Sequence, residues 1–132
     1  IHLGDAEGSE HFIPDWVNPE CRMEMVLGNN DFFSRLDRER EIDIAGHKAF
    51  ITHGHYYGVS MGPEGLVDEA KSRGCDIAMY GHTHRPFLDV IDGVTVLNPG
   101  SLSYPRQEGR RPSYMIIHVD ADGKMDYQQK YL

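Results

Sequence analysis

Four apolar runs in this chain each stop at a glycine-containing turn that carries carboxylate, amide or imidazole side chains. No other feature constrains the fold as strongly. The turns are Gly4-Asp5, Gly28-Asn29, His53-Gly54-His55 and Gly81-His82-Thr83-His84. An apolar run that ends this way reads as a strand leaving a core at its carboxyl end. Ligands at the carboxyl ends of neighbouring strands converge in the crevice where open α/β sheets place their sites. Glycine beside each one lets the backbone turn sharply and approach a bound group. Taken singly, a Gly-Asp turn or a Gly28-Asn29-Asn30-Asp31 run is an ordinary turn or loop. The two histidine pairs are more specific, because two imidazoles at a strand end rarely improve packing. All four in one positional context and one order point to a shared site.

The donor set is one carboxylate, one amide and several imidazoles. Carboxylate and imidazole suit Mn, Fe, Zn, Ni or Co, and the lack of thiolates at these turns argues against a structural zinc. One Asp can bridge two cations about 3.5–4 Å apart, a spacing that activates a shared water and clamps the oxygens of a phosphoryl group. No nucleophilic Ser or Cys is then required.

The remaining pattern supplies the scaffold. Cys21 to Leu27 reads as a strand entering a core, and Ile42 to Ile44 with Lys48 to Thr52 read as a hairpin around Gly46. Gly62-Pro63-Glu64 predicts a helix start, Leu66, Val67 and Ala70 its apolar face, and Gly74 its end. Cys75 to Tyr80 is a short apolar strand. Phe87 to Ile91 and Val94 to Leu97 join through Asp92-Gly93, a strong hairpin signal. Ser113 to Val119 and Lys124 to Tyr131 form a second pair. Strand–helix alternation followed by hairpins predicts two packed sheets with helices outside. The 132 residues fit a single domain with its own core.

A formal charge of −8 disfavours a nucleic-acid backbone as a docking surface. Metal cations can still bring phosphate esters to an acidic protein. No stretch approaches the roughly 20 apolar residues that cross a bilayer. Cys21 and Cys75 are too few for a disulfide framework and read as small buried hydrophobes, which favours a reducing, cytoplasmic setting. Ile1 to Leu3 reads as the end of a strand running into Gly4-Asp5, so a segment ahead of Ile1 is expected.

In this combination the motifs resemble the calcineurin-like metallophosphoesterases, and within them the small bacterial phosphodiesterase branch. The pattern of that family is Asp-x-His, Gly-Asp, Gly-Asn-x-Asp, a strand ending in His-Gly-His, and Gly-His-x-His. Asn98-Pro99-Gly100-Ser101 and Tyr104-Pro105-Arg106 match a further signature of the branch, so the likeness runs from Gly4 to about Arg106. It implies a four-layer αββα sandwich of two mixed β-sheets and hydrolysis of phosphate esters through a metal-bridging hydroxide. It also implies two divalent transition-metal ions, manganese first, with nickel, zinc, iron or cobalt also suited. Asp5 would bridge them, Asn29, His53 and His82 would complete one, and His84 would bind the other. His55 would lie beside the substrate phosphate, and Asp31 would support the site from behind; these two are the candidate catalytic side chains. Asn30 and Arg106 are the candidate substrate contacts.

Two departures from the pattern matter. Many members carry His where this chain has Asn30, which can donate a hydrogen bond but cannot transfer a proton at neutral pH. The expected substrates are therefore small esters with good leaving groups. The opening Asp-x-His, which gives two ligands to the metal held by His84, is absent from the chain. The expectation is one domain over residues 1–132 that lacks its first strand and first metal motif.

His2, His11, His47 and His118 have no motif context and read as surface or packing residues. Exposure of Trp16 would mark a contact between copies of the chain, and Asp37 to Glu41 reads as a solvated charged face. The competing reading is a catalytically weak member of the fold acting as an interaction scaffold, as the retromer subunit does. Five convergent polar ligands argue against it, because a scaffold has no physical need of them.

Overall fold

The structure is a computed structural model describing residues 1–132. Its centre is a five-stranded mixed sheet in the order β1-β2-β3-β5-β4. β1 spans Glu39–Ile44, β2 His47–Thr52, β3 Ile77–Met79, β4 Pro86–Ile91 and β5 Val94–Pro99. β2, β3 and β5 run parallel, and β1 and β4 close the edges antiparallel. Two tight hairpins build those edges. Asp92 and Gly93 turn with φ of 50° and 79°, the left-handed pair that a right-twisted hairpin needs. Ala45 and Gly46 do the same at 50° and 86°. The helix α2, Glu64–Ser72, carries the crossover from β2 to β3.

Strand alternation sorts the core into two layers. Phe50, Ala78, Val94 and Val96 face one way and meet Leu66, Val67 and Ala70 of α2. Ala49, Ile51, Ile77, Met79 and Leu97 face the other way with Leu3 and Val26. Met115, Ile117, Met125 and Tyr127 cover that second layer. They come from the separate hairpin of β6, Ser113–Val119, and β7, Met125–Tyr131. Asp120 sets its loop, accepting from the N–H groups of Asp122 and Lys124 at 2.9 and 2.8 Å. Burying Leu66, which is wholly enclosed, contributes about 2 kcal/mol of transfer free energy. The sheets and α2 match the expected layers, while the outer helical layers are thin: beside α2 there is one α-helical turn, α1, at Ile13–Trp16, and two 3-10 turns, Ser9–His11 and His55–Tyr57.

Some expectations are corrected. Residues 21–27 and 1–3 do not form strands; they meet in one parallel bridge, His2 to Met25. Two backbone bonds flank that bridge, from the His2 N–H to the Glu24 carbonyl and from the Val26 N–H to the His2 carbonyl, and a strand needs a longer run of partners as well as a pattern. The 37–41 run is not simply a solvated face. Arg40 pairs with the buried Glu24, and Glu39 pairs with Arg73 and accepts from the Tyr57 hydroxyl at 2.5 Å. Burial and the Glu39 carboxylate push the Tyr57 phenol up to about 12. Cys75 is buried as expected, whereas Cys21 is exposed.

His47 clamps the outer hairpin to the central sheet. Its Nδ1 faces the Asp76 carboxylate at 2.8 Å and its Nε2 the Gly123 carbonyl at 3.0 Å. Only the imidazolium donates from both nitrogens. The bonds to Asp76 and then Gly123 raise the pKa above 6.5. The stabilisation is therefore fully present below the unfolded pKa of 6.5 and fades as pH rises through the higher folded value. The urea midpoint of the wild type, relative to His47→Gln, should fall between about pH 6 and pH 8. Two curves that stay parallel across that range would remove the clamp from this account.

Candidate metal centre

The Gly4-Asp5 turn lies against Gly28, and the contact leaves no room for side chains. A Cβ on Gly28 would stand 2.1 Å from Asp5 Oδ1 and 2.3 Å from the Asp5 nitrogen. The buried Asp31 carboxylate holds the two segments together. It accepts from the backbone N–H of Asp5 at 2.8 Å, of Glu7 at 2.6 Å and of Gly28 at 2.7 Å. Asn30 then orients Asp5: its backbone N–H donates to Oδ1 at 2.9 Å and its side-chain amide to Oδ2 at 3.0 Å.

Onto this turn come side chains from the ends of β2 and β3. His53 Nε2 lies 2.9 Å from Asn29 Oδ1 and 3.4 Å from Asp5 Oδ2. His82 Nδ1 lies 3.1 Å from the same Asn29 oxygen and 3.3 Å from His53 Nε2. No three His, Cys, Asp or Glu side chains are grouped closely enough to hold an ion on their own; the cluster closes around Asn29. His84 has no recorded bond to these four, but it lines the same cavity of about 890 Å³ with Asp5, His53 and His82. His55 stacks near both other imidazoles, with ring centres 5.4 Å from His53 and 5.9 Å from His82. Its Nδ1 is buried without a partner. Arg106 is exposed in an adjoining cavity; its backbone N–H donates to the His84 carbonyl at 3.0 Å, and its guanidinium makes no hydrogen bond to the five candidate ligands.

Protonation decides what this cluster can hold. Burial lowers the pKa of His53, His82 and His55, so all three are neutral at pH 7. A neutral imidazole has one N–H, and His53 gives its own from Nδ1 to the Leu3 carbonyl at 2.7 Å. Its Nε2 is therefore a lone pair facing two oxygen acceptors, Asn29 Oδ1 and Asp5 Oδ2, with no proton between them. Two donors about 2.1 Å from a common ion stand roughly 3.0 Å apart at octahedral angles and 3.4 Å at tetrahedral ones. The observed spacings fall in that range, so the residues fit a divalent cation. The His84 Nδ1 donates to the Tyr104 carbonyl at 2.7 Å, which leaves its Nε2 free of that bond.

The backbone at the cluster is strained. Asp5, His82 and His84 have φ of 60°, 65° and 59°, a left-handed region that non-glycine residues seldom adopt. Strain of about 1–3 kcal/mol at each such residue persists only where the surroundings over-determine it. Asn98 is one of those surroundings: it is fully buried, and its amide donates to the Gly81 carbonyl at 2.8 Å and to Thr83 Oγ1 at 3.0 Å.

Sequence reasoning missed several of these supports. It singled out the Asn98-Pro99-Gly100-Ser101 string without giving Asn98 a role. It read His2 as a surface or packing residue, yet His2 Nδ1 accepts from the Gly4 N–H at 3.3 Å beside the site. The carbonyls of Leu3 and Tyr104 leave no signal in side-chain identity.

Two packed sheets with this cluster at the ends of β2 and β3 of the larger one define a protein of metallophosphoesterase fold. The family model for the calcineurin-like phosphoesterase superfamily domain matches residues 1–122. A probable metallophosphoesterase of Mycoplasma pneumoniae is 35% identical over 122 residues, covering 90% of this chain and 72% of the relative. Among solved structures, an archaeal phosphodiesterase is 29% identical with a TM-score of 0.60, covering 82% of this chain and 67% of that one. Wild-type Vps29 of Entamoeba histolytica complexed with zinc shares the fold at 24% identity and a TM-score of 0.65, covering 81% and 67%. The chain belongs to the calcineurin-like phosphoesterase superfamily. None of its helices is long and apolar enough to cross a membrane.

Proposed function

We propose that the protein is a metal-dependent phosphodiesterase acting on small phosphate esters. The observation that carries this is the cluster of polar atoms on Asp5, Asn29, His53 and His82 at separations of 2.9–3.4 Å, in which the His53 Nε2 lone pair faces oxygens of Asn29 and Asp5, a donor set suited to a cation. These four residues would hold one ion, and Asp5 with His84 would begin a second. Bound divalent ions, manganese by preference, supply an activated water and neutralise the phosphoryl oxygens. His55, neutral and with an unpartnered Nδ1, stands beside the substrate phosphate to hydrogen-bond it. Asp31 and Asn30 are positioning residues: one fixes the turn, the other the Asp5 carboxylate. Arg106 adds positive charge on the substrate side. With no general acid at Asn30, substrates with stable leaving groups are favoured.

The same proposal covers the domain. Ile1, Leu3, Met79, Leu97, Met115 and Ile117 line an apolar groove that opens onto Asp5 and His84. An extended segment ahead of Ile1, seated there, would complete a single domain and supply the remaining ligands near His84. The exposed Trp16 supports a contact between copies of the chain, and two free cysteines suit a cytoplasmic setting.

The scaffold reading is favoured by one observation, the exposed Phe32 and Phe33 directly after the Asn29 motif. Elemental analysis separates the two. Full-length protein loaded with manganese and desalted should retain two ions per chain and hydrolyse bis(4-nitrophenyl) phosphate only with metal. Fewer than two retained ions, together with no turnover, would sink the enzyme reading.

A further inference from the structure

Beside the metal centre lies a second cavity of about 420 Å³, lined by Arg85, Ser103, Tyr104, Pro105, Arg106 and Arg110. Three of its six residues are arginines and none is acidic, in a chain with 21 acidic residues against 13 Lys and Arg. The arginines that pair with carboxylates are Arg22, Arg40 and Arg73; the three in the cavity make no ion pair. Their mutual repulsion is unfavourable even when water screens it, and acidic side chains to relieve it are plentiful elsewhere on the chain.

The cavity is also fixed relative to the candidate metal ligands. Ser103 and Tyr104 line both cavities. The Arg106 N–H donates to the His84 carbonyl at 3.0 Å, while His84 Nδ1 donates to the Tyr104 carbonyl. The Arg106 guanidinium stacks over the Tyr104 ring at 5.4 Å. Arg110 is set by a closed turn in which its N–H donates to the Gln107 carbonyl and Gln107 Nε2 donates to the Arg111 carbonyl. A guanidinium fork matches phosphate oxygens in pairs, and three forks suit a dianion better than a carboxylate.

We propose that this cavity is a second phosphate subsite, seating a phosphate on the ester arm of the substrate away from the reacting phosphorus. The natural substrate is then a phosphodiester that carries a further phosphate. The inference rests on the phosphodiesterase reading and adds its substrate class.

The test compares two esters, 4-nitrophenyl 3-(phosphonooxy)propyl phosphate and 4-nitrophenyl butyl phosphate, on the manganese-loaded full-length protein. The first should be preferred in kcat/KM by at least about tenfold, the worth of one charge-assisted hydrogen bond. In the double variant Arg85→Gln, Arg110→Gln the preference should shrink to about twofold or less, mainly through KM. Equal turnover of both esters by the wild type overturns the proposal. A second measurement follows the arginine Nε–H signals of the zinc-loaded protein by NMR during titration with inorganic phosphate. If neither ester is cleaved, the phosphodiesterase reading fails and the titration decides the subsite. Shifts at Arg85, Arg106 and Arg110 in the wild type, with the Arg106 shift lost in the double variant, then keep it as a phosphate site, and unmoved wild-type signals remove it. Shifts without ester discrimination assign the cavity to free phosphate and overturn the substrate proposal.

Discussion

Gly28→Ala should lower manganese affinity of the full-length protein about a hundredfold, in line with what ångström-scale misplacement costs a preorganised site. The new methyl has nowhere to go. Its carbon would sit 2.3 Å from the Asp5 backbone nitrogen and 2.1 Å from Asp5 Oδ1, so the Asp5 backbone itself must move. Asp31 ties that backbone to the Gly28 N–H, so the two segments cannot part without breaking its bonds. The Asp5 carboxylate would leave its place beside His53 and Asn30. Gly46→Ala is the control: its φ is positive, 86°, but it has open space around it and no part in the site. It should cost about 1 kcal/mol of stability and leave affinity alone. Competition against a fluorescent chelator reads both, and equal affinities for the two variants would contradict the close-contact argument.

Asp31→Ala should destabilise the fold by about 4 kcal/mol in urea denaturation. Three backbone N–H groups lose their acceptor at once, and each buried donor left unpaired costs roughly 1–3 kcal/mol. The neighbouring Asp5 carboxylate is already engaged, receiving one bond from the Asn30 backbone N–H and one from its side-chain amide. Asp31→Asn keeps the shape and one oxygen, and should lose about half as much. The pair of variants separates positioning from proton transfer. A proton-transfer role would remove activity in Asp31→Asn with stability intact. The geometry predicts that stability and metal affinity fall together, in the order wild type, Asn, Ala.

Much of this was legible in the sequence where local chemistry decides the outcome. Asp92-Gly93 specifies its own turn, and Leu66, Val67 and Ala70 declare the buried face of α2 by spacing alone. The four motif turns marked a candidate site because His, Asp and Asn side chains recur beside glycines in one order, and the structure brings Asp5, Asn29, His53 and His82 together. What was not legible depends on partners distant along the chain. Residues 21–27 have a strand pattern but only a one-residue bridge, because pairing belongs to the neighbour as much as to the strand. His47 looked featureless because its two acceptors lie 29 and 76 residues away. The Leu3 carbonyl, which fixes the tautomer of His53, carries no side-chain signature at all. Arg85, Arg106 and Arg110 are scattered over a chain of net acidic charge, and only folding brings them to one cavity.

The left-handed backbone at Asp5, His82 and His84 has a consequence for the history of such a fold. Asparagine or glycine at any of these positions would relax the chain, so the substitutions that disable the chemistry are also ones that stabilise the scaffold. Mutational drift without a demand for catalysis would therefore run downhill, emptying the centre of ligands while hardening the sheets around it. In this chain all three strained positions still carry the residues that cost it stability.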